Sequence, residues 1–73
     1  MRTVDMAATG RNIRRLREKK GLMAKDVAEM IGTSPNSVYK WEHGYALPTI
    51  DNLVILADIL DVTLDGVIIT REV

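Results

Sequence analysis

Thr33-Ser34-Pro35-Asn36-Ser37-Val38-Tyr39-Lys40-Trp41-Glu42-His43-Gly44 reads as a short capped helix with two incompatible faces. Ser34 is a natural N-cap, and Pro35 suits the first helical position, where its missing N–H costs nothing. Gly44 stops the helix because it tolerates the left-handed conformation. On a helical wheel Val38, Trp41 and Glu42 share one face, while Asn36, Ser37 and Lys40 share the opposite one. The first face requires a core. The second presents short polar donors and acceptors and one long cation, the chemistry of a helix whose outer face enters the major groove of DNA.

The rest of the chain has 73 residues in which to supply that core. They allow one domain spanning 1–73, its core over about 6–69 and its groove-reading helix over about 35–43. Domains this small bury only about 60% of their unfolded surface. With no Cys, neither a disulfide framework nor a thiolate metal site compensates. Tight helix packing, an oligomer, or both are left. An apolar fraction of 47% and a charged fraction of 27% are ordinary for a globular chain. No apolar run is long enough to span a membrane, and no secretory signal is evident, so a soluble cytoplasmic protein is expected.

The formal net charge of zero conceals a division. Residues 1–44 carry nine Lys/Arg against five Asp/Glu, giving +4, and residues 45–73 carry one against five, giving −4. Such asymmetry hints at nucleic-acid contact by the basic half. A charge run such as Arg11 to Lys25 is, equally, the ordinary solvated face of a helix.

Five helices are expected. Asp5 caps the first, which runs to about Lys20 with Gly21 as its stop and Ile13 and Leu16 inward. The second covers about Ala24 to Ile31, with Val27, Ala28, Met30 and Ile31 inward and Gly32 ending it. After the third, Pro48 closes a loop. Thr49 caps a fourth helix with the stripe Ile50, Leu53, Leu56, Ala57 and Leu60. Thr63 caps a short fifth, with Leu64, Val67 and Ile68 inward. The first five and last four residues are expected to be loosely held, the tail either extending the fifth helix or forming an exposed strand.

Two helices separated only by Gly32-Thr33-Ser34 form a helix-turn-helix unit. Residues 10–69 resemble the Xre/Cro/C1-type helix-turn-helix regulators. The resemblance lies in Ile13-Arg14-Arg15-Leu16-Arg17, Gly21-Leu22, Val27-Ala28, Ile31-Gly32, Ser34, Val38 and Trp41-Glu42-His43-Gly44. It continues through Pro48, Asn52-Leu53, Leu56-Ala57 and Leu60 to Leu64. It implies an all-α, compact five-helix bundle, a lambda-repressor-like DNA-binding domain, commonly dimeric on inverted half-sites.

Glu42 shares the inward face of Val38 and Trp41, and a buried carboxylate needs a partner. Arg17 borders the inward face of the first helix, so an Arg17–Glu42 pair is expected to orient the third helix. The resemblance points to the same pair. On the outward face, Asn can bond adenine bidentately and Lys can donate to guanine. Asn36 and Lys40 are stacked one turn apart, and Ser37 can serve a base or a phosphate. The resemblance places Pro35, Asn36 and Lys40 at base-contacting positions, and Ser34 and His43 at backbone-contacting ones. Tyr39, flanking, suits a phosphate.

One departure stands out. The family usually opens its second helix with Ser or Thr followed by Gln, a cap and a phosphate contact; here Met23 and Ala24 stand instead. A lost cap costs about 1 kcal/mol. Lys25, with Arg11 and Arg14, can take over phosphate contact by charge.

Other chemistries fare worse. His43 is the only His, with no Cys and scattered carboxylates, so no metal site is expected. Ser34 and Ser37 lack a third member for a hydrolytic triad. Gly10, Gly21, Gly32, Gly44 and Gly66 are isolated helix or turn punctuation, not a phosphate loop. No cofactor and no catalysis are expected. Ile55, Ile59, Ile68 and Ile69 exceed what a small bundle buries, which suggests a homodimer through the acidic half. The expected function is a DNA-binding repressor. The alternative, motivated by Met23, Ala24 and zero net charge, is a protein-interaction module that keeps the fold without tight DNA binding and works through a protein partner.

Overall fold

The computed structural model describes residues 1–73. The elements run β1 (Arg2–Val4), α1 (Met6–Lys19), α2 (Ala24–Ile31), α3 (Pro35–Glu42), α4 (Ile50–Leu60), α5 (Leu64–Val67) and β2 (Thr70–Glu72). Four of the five helices begin at a side chain that accepts a backbone N–H three residues on, which satisfies one of the unpaired donors of the first turn. Asp5 takes the Ala8 N–H, Ser34 that of Ser37, Thr49 that of Asn52 and Thr63 that of Gly66. α2 is the exception. Met23 offers no cap, and Asp26 instead turns back to accept the Met23 N–H at 2.8 Å.

The core gathers Ile13 and Leu16 from α1, Val27 and Ala28 from α2, and Val38 and Trp41 from α3. Leu53, Leu56, Ala57 and Leu60 from α4 and Val67 from α5 complete it. No helix is long and apolar enough to cross a membrane.

Three residues expected inward are not. Met30 is 58% exposed, Ile50 73% and Leu64 41%. α2 has only two turns, and Met30 lies roughly 110° around from the centre of its packed stripe. Ile50 and Leu64 are the first residues of their helices, in turns that the neighbouring elements leave uncovered.

The ends are also better held than expected. β1 and β2 pair antiparallel, with Arg2 opposite Glu72, Thr3 opposite Arg71 and Val4 opposite Thr70. The ribbon is anchored by Thr9, fully buried on α1, whose hydroxyl accepts the Ile69 N–H at 2.9 Å and donates to the Ile69 carbonyl at 3.2 Å. Asn12 donates to the Gly66 and Val67 carbonyls at 2.7 and 3.1 Å. The tail is therefore a strand, the second of its two expected forms, and the five-helix bundle carries a small terminal sheet.

Candidate nucleic-acid interface

α3 is held from behind at three points. Val38, Trp41 and Glu42 are buried. Arg17 donates from Nε to one Glu42 oxygen at 2.6 Å and from a terminal nitrogen to the other at 3.0 Å, the two-pronged geometry of a guanidinium on a carboxylate. A third Arg17 nitrogen donates to the Leu22 carbonyl at 2.9 Å, so the same side chain also pins the turn before α2. The hydrogen bond to Glu42 raises the Arg17 pKa, against partial desolvation that lowers it. The pair anticipated from sequence is thus present, and only its edges are open to water.

The third point is Gly10. A β-carbon there would stand 2.4 Å from the Trp41 carbonyl oxygen and 2.6 Å from that of Glu42. The residue lies buried inside α1, where it lets two helix backbones touch. It is therefore not the punctuation that its isolation in sequence suggested. Its signal was legible: Gly inside a helical pattern forgoes about 1 kcal/mol relative to Ala, and close backbone approach is one reason to accept that.

On the opposite side of α3, Pro35, Asn36, Tyr39, Lys40 and His43 are exposed, and Ser37 is half-buried. Ser34 and Ser37 are less free than their residue type suggests. Ser34 Oγ caps the helix through the Ser37 N–H and lies 3.1 Å from Ser37 Oγ. α3 ends one residue earlier than expected, with His43 as its C-cap. The Tyr39 and His43 rings stack at 3.9 Å, with Tyr45 flanking.

The basic residues outside α3 divide. Lys25 is exposed in the first turn of α2. Arg14 is exposed, 3.7 Å from Glu18, and lies beside the edge of α1 that Gly10 and Arg17 turn toward α3. Arg11, about 160° around α1 from Ile13, points away from the core and from that edge. Sequence reasoning missed Thr9, Asn12 and Asp26, all of which position backbone rather than face solvent.

A helix-turn-helix family model matches residues 13–67. The chain belongs to that family, in its Xre/Cro/C1-type form. This helix-turn-helix chain is 40% identical over 52 residues to a protein of Pyrococcus furiosus provisionally named an HTH-type transcriptional regulatory protein. The match covers 71% of this chain and 16% of that one. A similarly named protein of Methanothermobacter thermautotrophicus is 34% identical over 53 residues, 73% of this chain and 17% of that one. The chain thus spans about a sixth of the length of these relatives.

Among solved structures, the restriction-modification controller protein C.AhdI from Aeromonas hydrophila superposes with a TM-score of 0.80 at 28% identity, covering 86% of this chain and 96% of that one. The P22 c2 repressor, solved with a synthetic operator, superposes at 0.78 with 27% identity, covering 81% and 89%. The helix-turn-helix bundle and its lambda-repressor-like arrangement are therefore shared across most of both solved chains.

Proposed function

We propose that this chain is a sequence-specific transcriptional regulator, a repressor, that lays α3 in the major groove of double-stranded DNA. The observation that carries the reading is the division of α3: Val38, Trp41 and Glu42 buried and clamped, Asn36 and Lys40 exposed on the other side. Asn36 and Lys40 contact bases, with Pro35 offering an apolar surface and Ser37 a hydroxyl. Ser34, Tyr39, His43, Lys25 and Arg14 contact the phosphate backbone, which positions the protein without specifying sequence, while Arg11, turned away from that edge of α1, contributes its charge at longer range. The operator-bound P22 c2 repressor and the regulator names of the archaeal relatives support this reading.

The protein acts without catalysis and without a cofactor, in the cytoplasm, as a homodimer on an inverted repeat. The dimer surface is an open groove of about 450 Å³ lined by Val54, Ile55, Ala57, Asp58, Val62 and Leu64. It lies in the acidic half and leaves the basic half free for DNA.

Selection of bound duplexes from a random pool at near-physiological salt, with N36A/K40A in parallel, tests the reading. The expected result is an enriched two-fold symmetric site that the double variant loses, each good base contact being worth about 1–3 kcal/mol. Weak, salt-sensitive retention without enrichment would overturn it and direct the search to a protein partner.

A further inference from the structure

His43 extends the outward face of α3 by one more position. Asn36, Lys40 and His43 stand four and then three residues apart, the spacing that stacks side chains along one side of a helix, and all three are exposed. The imidazole is not free to present either nitrogen at will. Nδ1 lies 2.9 Å from the Tyr39 carbonyl oxygen, which also takes the His43 backbone N–H. A carbonyl only accepts, so Nδ1 carries the hydrogen. The ring is further fixed by its stack on Tyr39, at 3.9 Å and 21° between planes.

A neutral imidazole has one N–H. With that hydrogen on Nδ1, Nε2 is a lone pair, and a phosphate oxygen has no hydrogen to give it. Transferring the hydrogen to Nε2 would exchange the Tyr39 bond for the phosphate bond and gain no charge. The imidazolium keeps the first bond and adds the second, now charge-assisted.

We propose that His43 grips a DNA phosphate as the imidazolium, so that DNA binding takes up a proton at this side chain and weakens as pH rises. This inference rests on the DNA-binding reading above and says how the same face answers to pH. The rings of Tyr39 and Tyr45 face the imidazole. The charges on α3 and on the side of α1 that meets it are Lys40 on the same face, Glu42 on the inward face bound to Arg17, Arg14 beside Glu18, and Asp5, which caps α1. α1 is the element whose Met6–Ala7 backbone meets Gly44. His43 is the only His in the chain. Imidazole is the one side chain whose unperturbed titration falls between about pH 5 and 8, so it can be isolated by substitution.

The sign follows from linkage. The DNA-bound form holds the proton and the free form releases it as pH rises, so affinity falls, by up to about tenfold per pH unit per protomer over the interval in which the free form has lost the proton and the bound form still keeps it. The test is a set of anisotropy titrations on the selected duplex from about pH 5.5 to about 8 at fixed ionic strength. The parent, H43Q and H43R are compared, each first checked for parent-like circular dichroism. The parent Kd should rise by about tenfold or more across the window. H43Q should be flat by comparison and H43R tight throughout. The parent salt slope should also be steeper at the acid end by roughly 0.9 per protomer, the signature of one more phosphate neutralised. Equal pH slopes in parent and H43Q, with selective binding retained, overturn the inference alone. A parent that selects no duplex at any pH overturns the DNA-binding reading and this inference with it.

Discussion

Between α1 and α3 the chain leaves no slack, whereas the outer face of α4 and α5 carries more apolar surface than the bundle covers. In the seam, the Trp41 and Glu42 carbonyls sit where a Gly10 side chain would begin, a β-carbon on Gly44 would meet the Ala7 Cα at 3.0 Å, and Arg17 locks onto Glu42. On the far face, Val54, Ile55 and Leu64 are 53%, 39% and 41% exposed around an open groove. Rigidity is placed where a helix must be aimed. Spare hydrophobic area is placed where another surface can be received. The largest expected effect therefore belongs to the seam. Gly10→Ala pushes a methyl into backbone that cannot rotate aside. It should cost about 3 kcal/mol, as overpacking does, even after the roughly 1 kcal/mol that Ala gains over Gly inside a helix. Urea unfolding followed by circular dichroism measures it. A G10A protein as stable as the parent would mean that the seam is looser than its distances imply.

Next comes the ion pair. Arg17→Met leaves the Glu42 carboxylate, 5% exposed at its side chain, without its cation. Stranding a buried charge in this way should cost about 3 kcal/mol. Replacing both partners, R17M/E42L, should restore most of that stability, because the attraction between the two charges is largely offset by their desolvation. Duplex selectivity should not return with it, since the two-pronged bond that fixes the angle of α3 is gone. Unfolding and duplex selection on the three proteins separate the possibilities. A double variant as unstable as the single one would make the pair a net source of stability. A double variant with parental selectivity would show that aiming α3 does not depend on it.

What was legible in the sequence was local. Asp5, Ser34, Thr49 and Thr63 each cap the helix they were expected to cap, because an N-cap acts within four residues and leaves its signature there. Arg17 and Glu42 could be paired across 25 positions because a buried carboxylate needs a partner, and the family resemblance pointed to the same pair. The ribbon was not legible. Its three-residue strands are exposed on both faces and so show no alternation, and its register depends on Thr9 gripping Ile69 sixty residues away. A helical wheel, likewise, gives direction but not the extent of cover, which is why Ile50 and Leu64 were placed inward. The Met23 departure read as a lost cap, and Asp26 recovers part of it from the other side. On the outward face of α3, sequence named the residues but not their commitments: Ser34 is already occupied as a cap and His43 is tied to Tyr39.

The smallest effect on folding, and the sharpest test of the far face, is expected from Ile55→Glu. Ile55 already meets water along the groove edge, so the substitution should change unfolding free energy by no more than about 0.5 kcal/mol, as for other surface positions. It adds a carboxylate to a half of the chain that carries −4, and two copies meeting there would bring those charges together. Light scattering should therefore show the variant monomeric at concentrations where the parent is dimeric. Binding to a two-fold duplex should weaken more than binding to a single half-site, because the advantage of linked sites is lost while each α3 is untouched. A parent that is monomeric at high micromolar concentration, and whose half-site and full-site affinities respond equally to I55E, would leave the groove without a role in assembly. A selective loss on the full site would show that the two halves of the molecule divide the work, one reading a half-site and the other counting two of them.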